Sequence, residues 1–176
     1  ERLFKTTCNE SLTSMVWRIP KVEDRLKFLI DQVERITGLQ EFGVYLNKLF
    51  TIDAIFLNED RHMHNIAVIM NGKGEFDYCP IFDNGGALLT DTTMDYPLDQ
   101  DELLLMKEVH AKTISSDFDE QLDTVEELYG RQIRFHFDRA IVEKIIAEEQ
   151  NYSNDVKERV YDLISRQMRK YQYLFE

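Results

Sequence analysis

Sulfur, proline and glycine are all scarce in this chain. Cys8 and Cys79 are the two cysteines among 176 residues. That is too few for a disulfide framework, so a reducing cytoplasm is the expected compartment. Only 3 prolines and 7 glycines are present, which excludes collagen-like and low-complexity chains. No run of about 18 apolar residues occurs, so no transmembrane helix is expected, and no secretory leader is visible at the start. Positive charge is short as well: 21 Lys and Arg stand against 33 Asp and Glu, a net charge of −12. So acidic a surface repels phosphate backbones and anionic lipid, which argues against nucleic-acid and membrane partners. It does not argue against a local site that holds phosphate through a cation.

What is present is the material of a helical core. The chain is 43% hydrophobic and 31% charged, the proportions of a mainly α domain, and its length suits one domain over residues 1–176. Residues 1–20 are mixed. Val22, Leu26, Leu29, Ile30, Val33 and Ile36 fall at helical spacing and predict a helix entered after Pro20 and stopped at Gly38. From Glu41 to Leu57 apolar residues crowd every face, which predicts a buried core helix. Ile66–Met70 and Phe76–Ile81 are short β-type runs around Asn71-Gly72-Lys73-Gly74, a hairpin signal in which Asn-Gly takes up the positive φ of a tight turn. A loop over 84–100 precedes further helices at Leu103–Val109, Phe118–Leu128 and Ile133–Glu148. The last helix runs from an N-cap at Ser153 to about Leu174.

Chemistry concentrates at the two ends of the hairpin. Asn58-Glu59-Asp60-Arg61-His62-Met63-His64-Asn65 leads into it, and Ile81-Phe82-Asp83-Asn84-Gly85-Gly86 leaves it. Antiparallel strands bring their outer ends together, so Asp60 and Asp83 can converge. A carboxylate that orients an attacking hydroxyl, beside hard oxygen ligands for magnesium, is what phosphoryl transfer needs. Plain alternatives exist for each residue. Asp, Asn and Gly form turns, and Asn84 to Gly86 suit that role; Arg61 suits pairing with a carboxylate. His62 and His64, with Asp60 or Asp83, are a candidate zinc or iron site for a hydrolase if the segment is a strand, because alternate strand residues share a face. Trp17 reads as a packing residue, and His110 and His136 lack ligand spacing.

The Asp60-Arg61-His62-x-x-Asn65 string, followed by a hydrophobic hairpin and Asp83, resembles the catalytic core of protein-kinase-like phosphotransferases. It is nearest to the phosphoinositide-kinase-like branch and to the bacterial HipA-like kinases. The resemblance covers roughly residues 40–90. It implies a kinase-like C-terminal lobe with the small hairpin inserted at the catalytic site, using Mg2+ and ATP. Asp60 is then the catalytic base, Asn65 and Asp83 the magnesium ligands, and His62 a contact to the transferred phosphate of the nucleotide. The implied acceptor is a hydroxyl, Ser or Thr of a protein for a HipA-like enzyme, and an antitoxin-like partner is implied by the resemblance alone. Asn84-Gly85 stands where protein kinases have Phe-Gly, and His64 where HipA-like proteins often have Lys. No glycine-rich phosphate loop and no strand lysine precede Asp60. With the start at Glu1, this gives the expectation that the nucleotide-clamping N-terminal lobe is missing and that the chain alone is a weak enzyme. A kinase-like interaction module without catalysis is the other reading of the same pattern.

Overall fold

The computed structural model describes residues 2–7 and 10–175, with only the backbone described at positions 2, 6 and 7. Cys8 therefore lies outside the described residues, and Cys79 carries a free thiol. The described chain is mainly helical, with one small antiparallel sheet. Eight helices are α1 (Arg2–Thr7), α2 (Leu12–Arg18), α3 (Val22–Thr37), α4 (Phe42–Phe56), α5 (Glu102–Glu108), α6 (Phe118–Tyr129), α7 (Arg139–Glu148) and α8 (Asn154–Lys170). Strands β1 (Val68–Met70) and β2 (Phe76–Tyr78) form the sheet, and a 3-10 turn over Gln172–Leu174 follows α8.

The centre of the fold is α4. Phe42, Leu46, Leu49, Phe50, Ala54 and Ile55 are all buried, so burial surrounds the helix as its sequence predicts. It starts without a side-chain cap of its own. Glu41 sits in the left-handed region, and the first amide of α4, Phe42 N–H, donates instead to Glu34 of α3 at 2.8 Å. The α6 helix lies along α4 so closely that a Cβ on Gly43 would stand 2.1 Å from the ring of Tyr129. From the other side, Gln167 of α8 donates to the Ala54 carbonyl at 2.6 Å. Gly38 ends α3 at φ 74, the left-handed stop that glycine provides.

Three expected elements are corrected. The hairpin is shorter than its β-type runs, with register Val68↔Tyr78, Ile69↔Asp77 and Met70↔Phe76. Its connection is not a two-residue Asn-Gly turn. Asn71 N–H reaches the Glu75 carbonyl at 2.9 Å, and the positive φ of 82° falls on Gly74. The helix expected over Ile133–Glu148 begins only at Arg139. Asp138 caps it by accepting from Ile141 N–H, and the residues before it serve a ring cluster of Phe135, Phe137 and Phe175 with centroids 5.1–5.5 Å apart. Trp17 is 37% exposed, with the Arg25 guanidinium over its ring, and is not a core residue. The mixed first 20 residues contain α1 and α2, and α2 turns Leu12, Met15 and Val16 onto the core.

Candidate functional site

The site is assembled at the C-terminal end of α4. Leu57 takes φ 51 and ends the helix, and Asn58 N–H folds back onto the Asp53 carbonyl at 2.9 Å. Asp53 is a buried carboxylate in the last turn of α4, which is costly unless it is paired. It receives Asn58 Nδ2 at 2.8 Å, Arg61 Nε at 3.0 Å and Arg61 Nη2 at 3.1 Å. Burial pushes the Asp53 carboxyl above its usual range, against the opposing pull of Arg61 and Asn58.

Arg61 is the largest fully buried side chain and has donors left after serving Asp53. Its Nη1 donates to the Asn65 carbonyl at 3.0 Å and to the Phe82 carbonyl at 2.6 Å, and its Nη2 to Asn84 Oδ1 at 2.5 Å. One guanidinium therefore joins α4, the segment before the hairpin and the segment after it. Thr113, in the α5–α6 connection, donates to the Arg61 carbonyl at 2.5 Å and fixes the loop from behind.

Around this hub stand the four residues singled out from the sequence. Asn65 is buried; its Nδ2 donates to the Asp60 carbonyl at 2.9 Å and reaches Asp60 Oδ2 at 3.4 Å. His62 Nε2 lies 3.8 Å from Asp60 Oδ1. Its Nδ1 accepts the backbone N–H of His64 at 3.2 Å, so Nε2 is the nitrogen left to carry a proton outward. Asp83 is exposed and takes φ 56, between the two residues that Arg61 grips. A non-glycine residue there is strained by ~1–3 kcal/mol, and such strain concentrates at functional sites. Leu57, Leu88 and Leu89 share this left-handed conformation in the same neighbourhood.

Gly86 shows how tightly the two segments meet. A Cβ there would lie 2.8 Å from the Cβ of Asp60, whereas one on Gly85 would meet nothing within 4 Å. Gly86 is thus a close-approach position, beyond the turn-forming role its sequence implied. The Gly86 carbonyl accepts Glu59 N–H at 3.3 Å, and Leu88 N–H donates to the Phe56 carbonyl at 2.8 Å.

The structure thus brings Asp60, His62 and Asn65 into one turn, and Arg61 grips the residues on either side of Asp83 and not Asp83 itself. His64 contributes its backbone, while its imidazole is exposed and edge-on to His62 at a centroid distance of 5.5 Å. The His62–His64 segment is turn and not strand, so the alternating-face argument for a His-x-His metal pair does not apply to it. Among the described residues no group of three His, Cys, Asp or Glu side chains is arranged for a metal ion. Asn65 Oδ1 and the Asp83 carboxylate accept no hydrogen bond within the described chain, and such neutral and anionic oxygens are the ligands magnesium prefers. Beside the turn lies a largely apolar cavity of about 550 Å3, lined by Phe42, Met63, His64, Ile66 and Val68 among others.

Comparison with protein-family models, curated proteins and solved structures finds no match. The site therefore stands on its own geometry. Four of its members escaped the sequence reading: Asp53, Asn84 as an acceptor, Gly86 as a contact, and Thr113. Asp53 alone left a signal. A carboxylate inside an all-round apolar helix demands a cation, and Arg61 is the first one after that helix.

Proposed function

We propose that this chain is the catalytic-loop lobe of an ATP-dependent phosphotransferase of HipA-like type. The observation that carries the reading is that one buried guanidinium binds the Asn65 carbonyl together with the Phe82 carbonyl and the Asn84 side chain on either side of Asp83, while Asn65 itself bonds Asp60. Three dispersed oxygen-bearing residues are held ready for a polyanion and its cation, with hard ligands free and a hydroxyl-orienting carboxylate beside them.

In this proposal Asn65 Oδ1 and the Asp83 carboxylate hold Mg2+, which when bound neutralises charge on the phosphate oxygens. Asp60 accepts a hydrogen bond from the acceptor hydroxyl and takes its proton as that oxygen attacks the γ-phosphorus of ATP, while the bond from the γ-phosphorus to the β,γ-bridging oxygen breaks and ADP leaves. Asn65 Nδ2, bonded to Asp60, keeps that carboxylate oriented. His62 presents Nε2–H to a phosphate oxygen as a neutral donor, since its Nδ1 is occupied by the His64 amide. The apolar cavity offers a wall for the flat base of the nucleotide. A protein Ser or Thr is the proposed acceptor. An acidic chain of net charge −12 makes an anionic lipid headgroup the weaker candidate.

Calorimetric titration of a non-hydrolysable ATP analogue into the protein tests the reading. Binding should require Mg2+, vanish on chelation and be lost in Asp83→Ala, while Asp60→Ala retains it. Binding that is indifferent to Mg2+ in every variant contradicts the proposal. Tight retention of zinc or iron would move the hydrolase reading ahead.

A further inference from the structure

Asp60, His62 and Asp83 are exposed or half-exposed, Asn65 is buried, and the Arg61–Asp53 pair that fixes their segments is buried. Asp83 makes no hydrogen bond or ion pair of its own among the described residues, and its backbone stands at φ 56. What fixes it is on either side. The Phe82 carbonyl is bound by Arg61 Nη1 at 2.6 Å and Asn84 Oδ1 by Arg61 Nη2 at 2.5 Å. The same Nη1 binds the Asn65 carbonyl at 3.0 Å. The two proposed metal ligands are therefore indexed to each other through a fork whose own position is set by Asp53.

We infer that Asn84 is a positioning residue for the metal site: its side-chain oxygen, on Arg61, holds Asp83 in register with Asn65. Resting on the phosphotransferase reading, this assigns a function to a residue whose sequence context indicates only a turn. The physical basis is that partners which orient a metal ligand affect affinity without touching the ion. Asn84 is also suited to a clean test. It is exposed, so its replacement leaves no cavity in the core, and Arg61 keeps Asp53, Asn65 and Phe82 as acceptors when it is removed.

The experiment compares the wild-type protein with its Asn84→Ala and Asn84→Asp variants. Two readouts are taken: the half-saturating Mg2+ for nucleotide binding at fixed ATP, and amide hydrogen exchange over residues 82–86. Asn84→Ala should raise half-saturating Mg2+ by ~10-fold or more, the scale of a lost orienting partner, and speed exchange at 82–86. Asn84→Asp, which keeps an oxygen on Arg61, should restore both. A charge effect alone would restore affinity and leave exchange fast, which overturns the inference. So would an alanine variant identical to wild type in both readouts. If wild type shows no Mg2+-dependent binding, the phosphotransferase reading has failed, and exchange decides the positioning role. Faster exchange in the alanine variant that aspartate reverses supports it, and unchanged exchange overturns it.

Discussion

Arg61 Nε and Asp53 Oδ2 stand 3.0 Å apart, and both side chains are 1% exposed. A buried ion pair contributes little net stability when formed, because two charges must leave water, but removing one partner strands the other. Asp53→Ala should therefore destabilise the fold by ~3–5 kcal/mol in chemical denaturation. A loss within about 0.5 kcal/mol, the scale of ordinary surface changes, would show that the hub does not organise this end of α4.

The neighbouring glycines separate contact from turn formation. Gly86→Ala places a methyl 2.8 Å from Asp60 Cβ, while Gly85→Ala points into open space. The first should cost ~1–3 kcal/mol as overpacking and slow transfer by ~10²-fold through displacement of Asp60. The second should leave thermal stability and rate near wild type. Equal behaviour of the two variants would refute the close approach.

His62 offers a test of charge against hydrogen bonding. With Nδ1 filled by the His64 amide, the proposed role is that of a neutral donor. His62→Ala should lower turnover by ~10²–10³-fold, the scale of one lost transition-state donor. His62→Gln, which keeps an N–H, should recover part of that loss, and His62→Lys should do no better. Rescue by lysine alone would mean that charge is what the position supplies.

Alkaline pH should weaken the fold through its tyrosines. Burial pushes the Tyr45 phenol from its ordinary 10.0 up to about 12, and Tyr173 likewise up to about 12. Tyr96 and Tyr171 are raised further by burial and by their hydrogen bonds to Glu59 and Asp119. A raised folded-state value means the protonated form is favoured by folding. That stability is fully present below pH 10 and is lost as pH climbs through 12. Denaturation midpoints should be flat below this window and fall within it. Tyrosinate absorbance should rise later in the folded protein than in denatured chain. Coincident titration of the two states would contradict the burial of these phenols.

The sequence made local regularities legible. The stripe from Val22 and the stop at Gly38 fix α3 to its bounds, and the all-round apolar run marks α4 as buried. Ser153 caps α8 as read. The failures have more than one cause. The hairpin connection is decided locally, by Asn71 reaching Glu75 and the positive φ on Gly74. Residues 133–138 alternate apolar Ile133, Phe135 and Phe137 and stay outside α7, where Phe135 N–H bonds the Leu174 carbonyl at 2.8 Å and its ring stacks on Phe175. At the site, the motif residues Asp60, His62, Asn65 and Asp83 could be named from spacing. The grip of Arg61 on Phe82 and Asn84, 21 and 23 residues away, could not, because nothing in either segment's pattern encodes the other.

The most direct test of the central claim is transfer of label from γ-labelled ATP, with Mg2+, by the wild-type protein and its Asp60→Ala and Asp83→Ala variants. The account predicts label on the wild-type protein or on an added protein substrate. Asp60→Ala should lose transfer by ~10²–10⁴-fold or more while still binding nucleotide, and Asp83→Ala should lose both. Equal label from all three proteins, or a folded wild-type protein that neither transfers label nor binds Mg-ATP, would contradict it.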